Sequence, residues 1–126
     1  MSYIKHKSDE SMEDYLETIL QLYNKNGKVR SVDIASELGY TKASVSVAMK
    51  SLRTKELITM ADTGYITLTP EGQKKAEIIL ERHTLLTEWL VRLGVPEALA
   101  SEDACRIEHD ICEETFDALK KHCLGQ

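Results

Sequence analysis

Apolar residues in the first half of the chain recur at the spacing of amphipathic helices. From Met12 to Tyr23 they return about every 3.6 residues, which predicts a first helix that ends at Asn26-Gly27. Two shorter helical patterns follow, at residues 32–38 and 42–53, with Ser31 and Thr41 as predicted N-caps. Two short helices joined by a glycine-containing turn indicate a helix-turn-helix, although an ordinary helical hairpin shows the same pattern.

The apolar period then changes to that of strands. Residues 57–60 and 65–68 are rich in isoleucine and threonine, and the connector between them contains Asp62 and Gly64. A hairpin directly after a helix-turn-helix is the wing of a winged-helix domain. We therefore predict a winged helix-turn-helix DNA-binding domain at residues 1–72.

Helical spacing returns after Thr69-Pro70 and continues to Gly94, which predicts a helix about 36 Å long. Two shorter helices are predicted to begin at Ser101 and near Glu113. Helices this short form a small core that generally needs oligomerisation or metal. The expected fold is mainly α, with an all-helical dimerisation and metal-binding domain at residues 73–126.

Composition excludes several classes of protein. The apolar fraction of 42% and charged fraction of 29% are those of an ordinary globular chain. No apolar run approaches the roughly 20 residues that span a bilayer, and the N-terminus does not resemble a secretory signal. We therefore expect a cytoplasmic protein that does not bind membranes. The three cysteines are an odd number, which argues against a disulfide framework.

Charge is distributed unevenly along the chain. The net charge is −5, yet residues 25–55 hold seven basic side chains against two acidic ones. The remaining residues hold nine basic and nineteen acidic side chains. A basic segment on an acidic body is compatible with a nucleic-acid contact surface.

The helix predicted at residues 42–53 has the composition of a recognition helix. Its first turns carry small and hydroxyl side chains, which a major groove about 12 Å wide admits. Hydroxyls can donate to phosphates or base edges, cations can neutralise phosphates, and small apolar groups can contact a thymine methyl. With the start of the preceding helix, the predicted DNA-binding residues are Arg30, Ser31, Thr41, Lys42, Ala43, Ser44, Ser46, Val47 and Lys50.

Candidate metal donors occur near the C-terminus. Cys105, Glu108 and His109 have i, i+3, i+4 spacing, which puts a thiol, a carboxylate and an imidazole on one helix face. These are donors for a borderline divalent transition metal. A solvated polar face with a half-buried cysteine would show the same residues. Asp14 and Glu17 lie one turn apart on the first helix and, taken alone, are typical of solvated carboxylates.

Four further segments accompany the helix-turn-helix and wing along the chain. They are Ser11-Met12-Glu13-Asp14-Tyr15-Leu16-Glu17, Leu68-Thr69-Pro70-Glu71-Gly72, Arg82-His83 and Ala104-Cys105-Arg106-Ile107-Glu108-His109. Taken together, in this order and over nearly the whole chain, these segments resemble the diphtheria toxin repressor family of metal-dependent regulators. The resemblance implies a homodimer with an N-terminal winged helix and a helical dimerisation domain, activated for operator binding by divalent metal bound between the domains.

The resemblance also implies a set of metal ligands. Asp14 and Glu17 match the manganese-responsive branch, Cys105 matches the iron-responsive branch, and Ser101 replaces a second-site histidine of the iron branch. Because a thiolate favours a softer ion, Fe²⁺ is expected over Mn²⁺, and six donors leave room for two ions per subunit. The implied ligands are Asp14, Glu17, His83, Cys105, Glu108 and His109.

The expected function is therefore metal-dependent transcriptional regulation. The resemblance implies repression of metal-uptake genes by a homodimer bound to palindromic double-stranded operator DNA. A winged-helix regulator of a non-metal ligand is the alternative. A metalloenzyme is not expected, because no positioned base or nucleophile stands out beyond the ligands.

Overall fold

The computed structural model describes residues 7–123, with side chains from residue 11 onward. The described chain is mainly helical with a small two-stranded wing, which confirms the expected fold class. Two compact units are present, Ser11–Glu77 and a second that includes residues 78–123. The elements are α1 (Lys7–Asn26), α2 (Ser31–Leu38), α3 (Lys42–Thr54), β1 (Ile58–Met60), β2 (Ile66–Leu68), α4 (Pro70–Arg92), α5 (Glu97–Asp110) and α6 (Glu113–Cys123).

The core of the first unit is built from the predicted apolar faces of its helices. Leu16 and Ile19 of α1, Ile34 of α2, and Val45 and Met49 of α3 are all buried. Removing these side chains from water is the main term that stabilises the unit, at about 25 cal/mol per Å² of apolar surface. The opposite face of α3 is thereby left exposed to solvent.

Local signals fix the turn between α2 and α3. Gly39 ends α2 in the left-handed region with φ +69°, and the Tyr40 amide donates to the carbonyl of Ala35 at 3.1 Å. Thr41 caps α3 as predicted, because its Oγ1 accepts from the Ser44 amide at 3.1 Å.

The start of α2 differs from the prediction. Ser31 is the first helical residue rather than the N-cap, and Arg30 occupies the cap position with extended backbone. The Asp33 carboxylate accepts from the Arg30 amide at 2.8 Å, so the start of the helix is stabilised by an acidic side chain in the first turn rather than by the Ser31 hydroxyl.

The wing is an antiparallel hairpin of β1 and β2, in which Thr59 pairs with Thr67. The connector before α2 extends this small sheet, since Val29 bridges to Ile66 and accepts its amide at 2.7 Å. Both Val29 and Ile66 are buried. The wing is therefore attached through its edge to the segment that leads into the helix-turn-helix.

Gly72 lies in the first turn of α4, against the backbone that precedes β1. Thr69 caps the helix by accepting from the Gly72 amide at 3.1 Å, and its hydroxyl donates to the carbonyl of Glu56 at 2.7 Å. A Cβ added at Gly72 would lie 1.9 Å from the carbonyl oxygen of Leu57. Only glycine fits this close approach of helix and strand.

Gly72→Ala is expected to destabilise the first unit by about 1–3 kcal/mol, because the added methyl must displace backbone rather than a flexible side chain. Urea denaturation followed by circular dichroism measures the change. Lys75→Ala, at an exposed position one turn later, is the control and should stay within about 0.5 kcal/mol of the parent. Equal stability of the two variants would contradict the steric argument.

The second unit has a smaller core, formed by Leu86 of α4, Ala104 of α5 and Phe116 of α6. Within residues 7–123, no helix is both long and apolar enough to cross a bilayer. α5 begins at Glu97, earlier than the predicted Ser101. Pro96 at the N-cap presets the backbone, and the alanines and leucine that follow favour helix. Residues 97–100, which precede the predicted start, are therefore helical.

Candidate metal centre and DNA-contacting surface

One turn of α5 brings a thiol, a carboxylate and an imidazole together. Cys105, Glu108 and His109 each offer a ligand atom within 4.8 Å of the others. The Cys105 Sγ lies 3.9 Å from His109 Nε2, and Glu108 Oε1 lies 3.6 Å from the same nitrogen. Glu108 and His109 are buried, and Cys105 is half-buried. The solvated-face interpretation is therefore wrong for Glu108 and His109, whereas Cys105 is half-buried as that interpretation expected.

His83 brings α4 to the same cluster. Its Nδ1 lies 3.2 Å from Glu108 Oε2, and its Nε2 lies 3.4 Å from the hydroxyl of Ser101. A neutral imidazole donates through one nitrogen and accepts through the other, so these two partners fix the ring orientation. Ser101, which the family resemblance aligns with a histidine of the iron-responsive branch, therefore contacts His83 in this chain.

The chemistry of this cluster fits a divalent transition metal. Glu108 is fully buried, and among the described residues its Oε1 has no hydrogen-bond partner. His83 and His109 offset only part of the cost of burying this carboxylate, and a bound cation would supply the remaining compensation. Thiolate, imidazole and carboxylate together suit borderline ions such as Fe²⁺, Mn²⁺, Co²⁺ and Zn²⁺.

Asp14 and Glu17 lie in the first unit, one turn apart on α1. Glu17 is only 7% exposed, which contradicts its interpretation as an ordinary solvated carboxylate. Between them, burial raises the pKa of the Tyr15 phenol, and the nearby Tyr40 and Asp14 add to this effect.

Sequence reasoning missed the structural role of Arg82. Its guanidinium is buried, and Nη1 donates to the carbonyls of Glu108 at 3.2 Å and Ile111 at 3.3 Å. The same group lies 5.2 Å from the ring centroid of Phe116 in α6. Arg82 therefore holds the C-terminal end of the helix that carries Glu108.

A signal for this role is visible in the sequence. Ile79, Arg82 and Leu86 have i, i+3, i+7 spacing, and the two apolar members are buried. A charged residue inside an apolar stripe is expected to be buried and paired.

The predicted DNA-contacting residues lie at or near the surface of the first unit. Val47, in the middle of α3, is 71% exposed, whereas Val45 on the opposite face is fully buried. An apolar side chain this exposed on a polar helix face is suited to contact with base edges. Ser31 is half-buried, and the exposed members of the predicted set are Arg30, Thr41, Lys42, Ala43, Ser44, Ser46, Val47 and Lys50.

A winged helix with an exposed recognition helix, followed by a helical unit with clustered metal donors, defines a metal-binding DNA-binding regulator. Comparison with protein families agrees with this class. The iron dependent repressor N-terminal DNA binding domain matches residues 8–70, and the iron dependent repressor metal binding and dimerisation domain matches residues 69–124. The chain belongs to the iron dependent repressor family, which confirms the resemblance to the diphtheria toxin repressor family.

Curated relatives include transcriptional regulators. The transcriptional regulator MntR of Escherichia coli O6:H1 is 39% identical over 111 residues, which is 88% of this chain and 72% of the relative. An HTH-type transcriptional regulator MntR of Listeria monocytogenes is 34% identical over 109 residues, 86% of this chain and 77% of the relative. The chain is accordingly a transcriptional regulator and not an enzyme, and these relatives give no support to a regulator of a non-metal ligand.

Solved structures show the same fold. The manganese regulator SloR superposes with a TM-score of 0.78 and 26% identity, covering 88% of this chain and 52% of that chain. The IdeR protein of T. acidophilum has a TM-score of 0.78 and 26% identity, covering 100% of this chain and 56% of that chain. This chain therefore spans about half the length of those solved proteins.

Proposed function

We propose that the chain represses metal-uptake genes by binding palindromic operator DNA as a homodimer when it is loaded with a divalent metal. The observation that carries this proposal is the cluster of buried Glu108 and His109 with half-buried Cys105 and His83, in a chain that also exposes a recognition helix. Because the target is the genome, we assign the protein to the cytoplasm.

Six residues are proposed to hold the metal, namely Asp14, Glu17, His83, Cys105, Glu108 and His109. The first two belong to α1, and the other four to α4 and α5. A bound cation supplies positive charge that offsets the repulsion among the carboxylates. Asp14 and Glu17 would then tie the DNA-binding unit to the unit that dimerises.

This tie gives a reason for metal dependence. A two-fold dimer reads half-sites about 34 Å apart, so recognition helices that are free to move relative to one another lose affinity. Each tenfold gain in DNA affinity requires about 1.4 kcal/mol of coupling to the metal, and the coupling is reciprocal. DNA should therefore tighten metal binding by the same factor.

We propose Fe²⁺ over Mn²⁺ as the activating ion, because Cys105 provides a thiolate and thiolates favour the softer ion. Six donors exceed the share that a protein supplies to one ion, so the proposal includes two ions per subunit. Mn²⁺ is the second candidate, since SloR is described as a manganese regulator and Asp14 and Glu17 are hard oxygen donors.

A titration tests this function. A randomised 30-base-pair duplex library is first enriched on the full chain loaded with Fe²⁺ under anaerobic conditions, and in parallel with Mn²⁺. Anisotropy of the enriched duplex is then followed against Fe²⁺, Mn²⁺, Co²⁺ and Zn²⁺. We expect at least a tenfold gain in DNA affinity, reversed by chelator, with Fe²⁺ effective at lower free concentration than Mn²⁺.

Lys50→Ala is the matched control, because it should weaken DNA binding and leave metal binding unchanged. DNA binding that ignores every metal and the chelator would overturn the proposed function. Activation by Mn²⁺ at a lower free concentration than Fe²⁺ would instead overturn only the choice of ion.

A further inference from the structure

The segment that leads into α2 has one buried and two exposed side chains. Val29 is fully buried and pairs with Ile66, whose amide donates to its carbonyl at 2.7 Å. Side chains alternate between the two faces of an extended strand, so Lys28 and Arg30 both point to the outer face. Tyr65, next to the buried Ile66, lies on that face for the same reason.

Both cations lie over the Tyr65 ring. The Arg30 guanidinium carbon is 4.2 Å from the ring centroid, and Lys28 Nζ is 5.3 Å from it. The Asp33 carboxylate accepts the backbone amide of Arg30 and not its guanidinium. Among the described residues, no carboxylate is within salt-bridge distance of either cation. Both cations thus share one aromatic ring, and the part of the chain that the structure describes gives neither of them an acidic partner.

This arrangement leaves the hydrogen-bonding groups of both side chains available. A contact with an aromatic ring occupies none of the N–H donors of a guanidinium, so Arg30 can still donate to an acceptor. The aromatic face attracts both cations and restricts their rotamers, which reduces the entropy lost when they bind an anion. A phosphate oxygen would accept from both side chains and cancel their repulsion.

We propose that Lys28 and Arg30 form a phosphate clamp on the DNA backbone, with Tyr65 as its positioning residue. The inference rests on the proposed operator binding and adds Lys28 and Tyr65 to the residues that sequence reasoning identified. DNA is the occupant that the charges favour, because the clamp belongs to the basic segment 25–55 that also contains the recognition helix.

The test uses the metal-loaded full chain and the enriched duplex, with anisotropy measured from 50 to 200 mM salt. Tyr65→Leu keeps every charge, and it should weaken binding about 3- to 10-fold. Tyr65→Phe keeps the ring and should stay within about twofold of the parent. Lys28→Ala should make the slope of log K against log salt less negative by about 0.9 for each protomer.

A double-mutant comparison shows whether Tyr65 positions Lys28 or only stabilises the wing. Lys28→Ala should cost less in the Tyr65→Leu background than in the parent, because the clamp is already disordered there. Lys50→Ala, whose side chain is on the recognition helix, should cost the same in both backgrounds.

Three results would overturn the clamp. The first is a Tyr65→Leu variant with the affinity and salt slope of the parent, and the second is an equal cost of Lys28→Ala in both backgrounds. Either result leaves the proposed function intact. The third, an unsubstituted chain that binds no duplex with any metal, overturns the proposed function and the clamp with it.

Discussion

Glu108→Gln is expected to remove most of the stabilisation of the chain by divalent metal and to leave the metal-free chain at least as stable as the parent. Glu108 is fully buried, with Oε2 against His83 and Oε1 lacking a hydrogen-bond partner among the described residues. Glutamine keeps the volume and removes a buried charge that needs a cation. The metal-free chain should therefore be as stable as the parent or more stable, although the metal loses the Glu108 carboxylate as a ligand.

The size of the effect follows from binding linkage. Metal at 100 times its dissociation constant stabilises the parent by about 2.7 kcal/mol. Removing a ligand is expected to lower metal affinity at least about 100-fold. Substituting a residue that only hydrogen-bonds to a ligand already lowers it about 10- to 100-fold. At the same metal concentration the variant should then gain only about 0.4 kcal/mol.

Thermal denaturation without metal measures the stability of the metal-free chain, and denaturation with Fe²⁺ or Mn²⁺ measures the stabilisation by metal. Glu102→Gln is the matched control, because it removes the same charge from an exposed position on α5 and should respond to metal like the parent. A Glu108→Gln variant that metal stabilises as strongly as the parent would exclude this carboxylate as a ligand.

Local signals explain why much of the fold could be predicted. Capping and turn bonds join residues that are close in the sequence, so they can be predicted from it. Examples are the caps at Thr41 and Thr69 and the turn at Gly39. The apolar faces of α1 and α3 follow helical spacing, which depends only on order along the chain. Tyr23 is the exception, since it is 49% exposed while its neighbour Leu22 is buried.

Long-range contacts explain what the sequence could not supply. The spacing of Cys105, Glu108 and His109 predicts a shared helix face, and the structure brings their ligand atoms together. His83 contacts Glu108 across 25 positions of the chain, and spacing alone carries no information about such a pair. Only the family resemblance pointed to that histidine.

Arg82→Met is expected to destabilise the second unit by about 2–4 kcal/mol. Arg82 Nη1 bonds to the carbonyls of Glu108 and Ile111, and both would lose a charged donor at the end of α5. Methionine fills similar space against Phe116, so the loss is mainly of hydrogen bonds and of charge at the negative end of the helix dipole. Urea denaturation of the metal-free chain gives the change.

The same substitution should also weaken metal binding, because the end of α5 positions Glu108 and His109. Arg82→Lys retains the charge and one donor, and it should recover part of both losses. Arg106→Met is the control, since this arginine is 73% exposed and its pairing with Asp103 contributes little. Equal stability and equal metal affinity of Arg82→Met and Arg106→Met would show that Arg82 does not hold α5 in place.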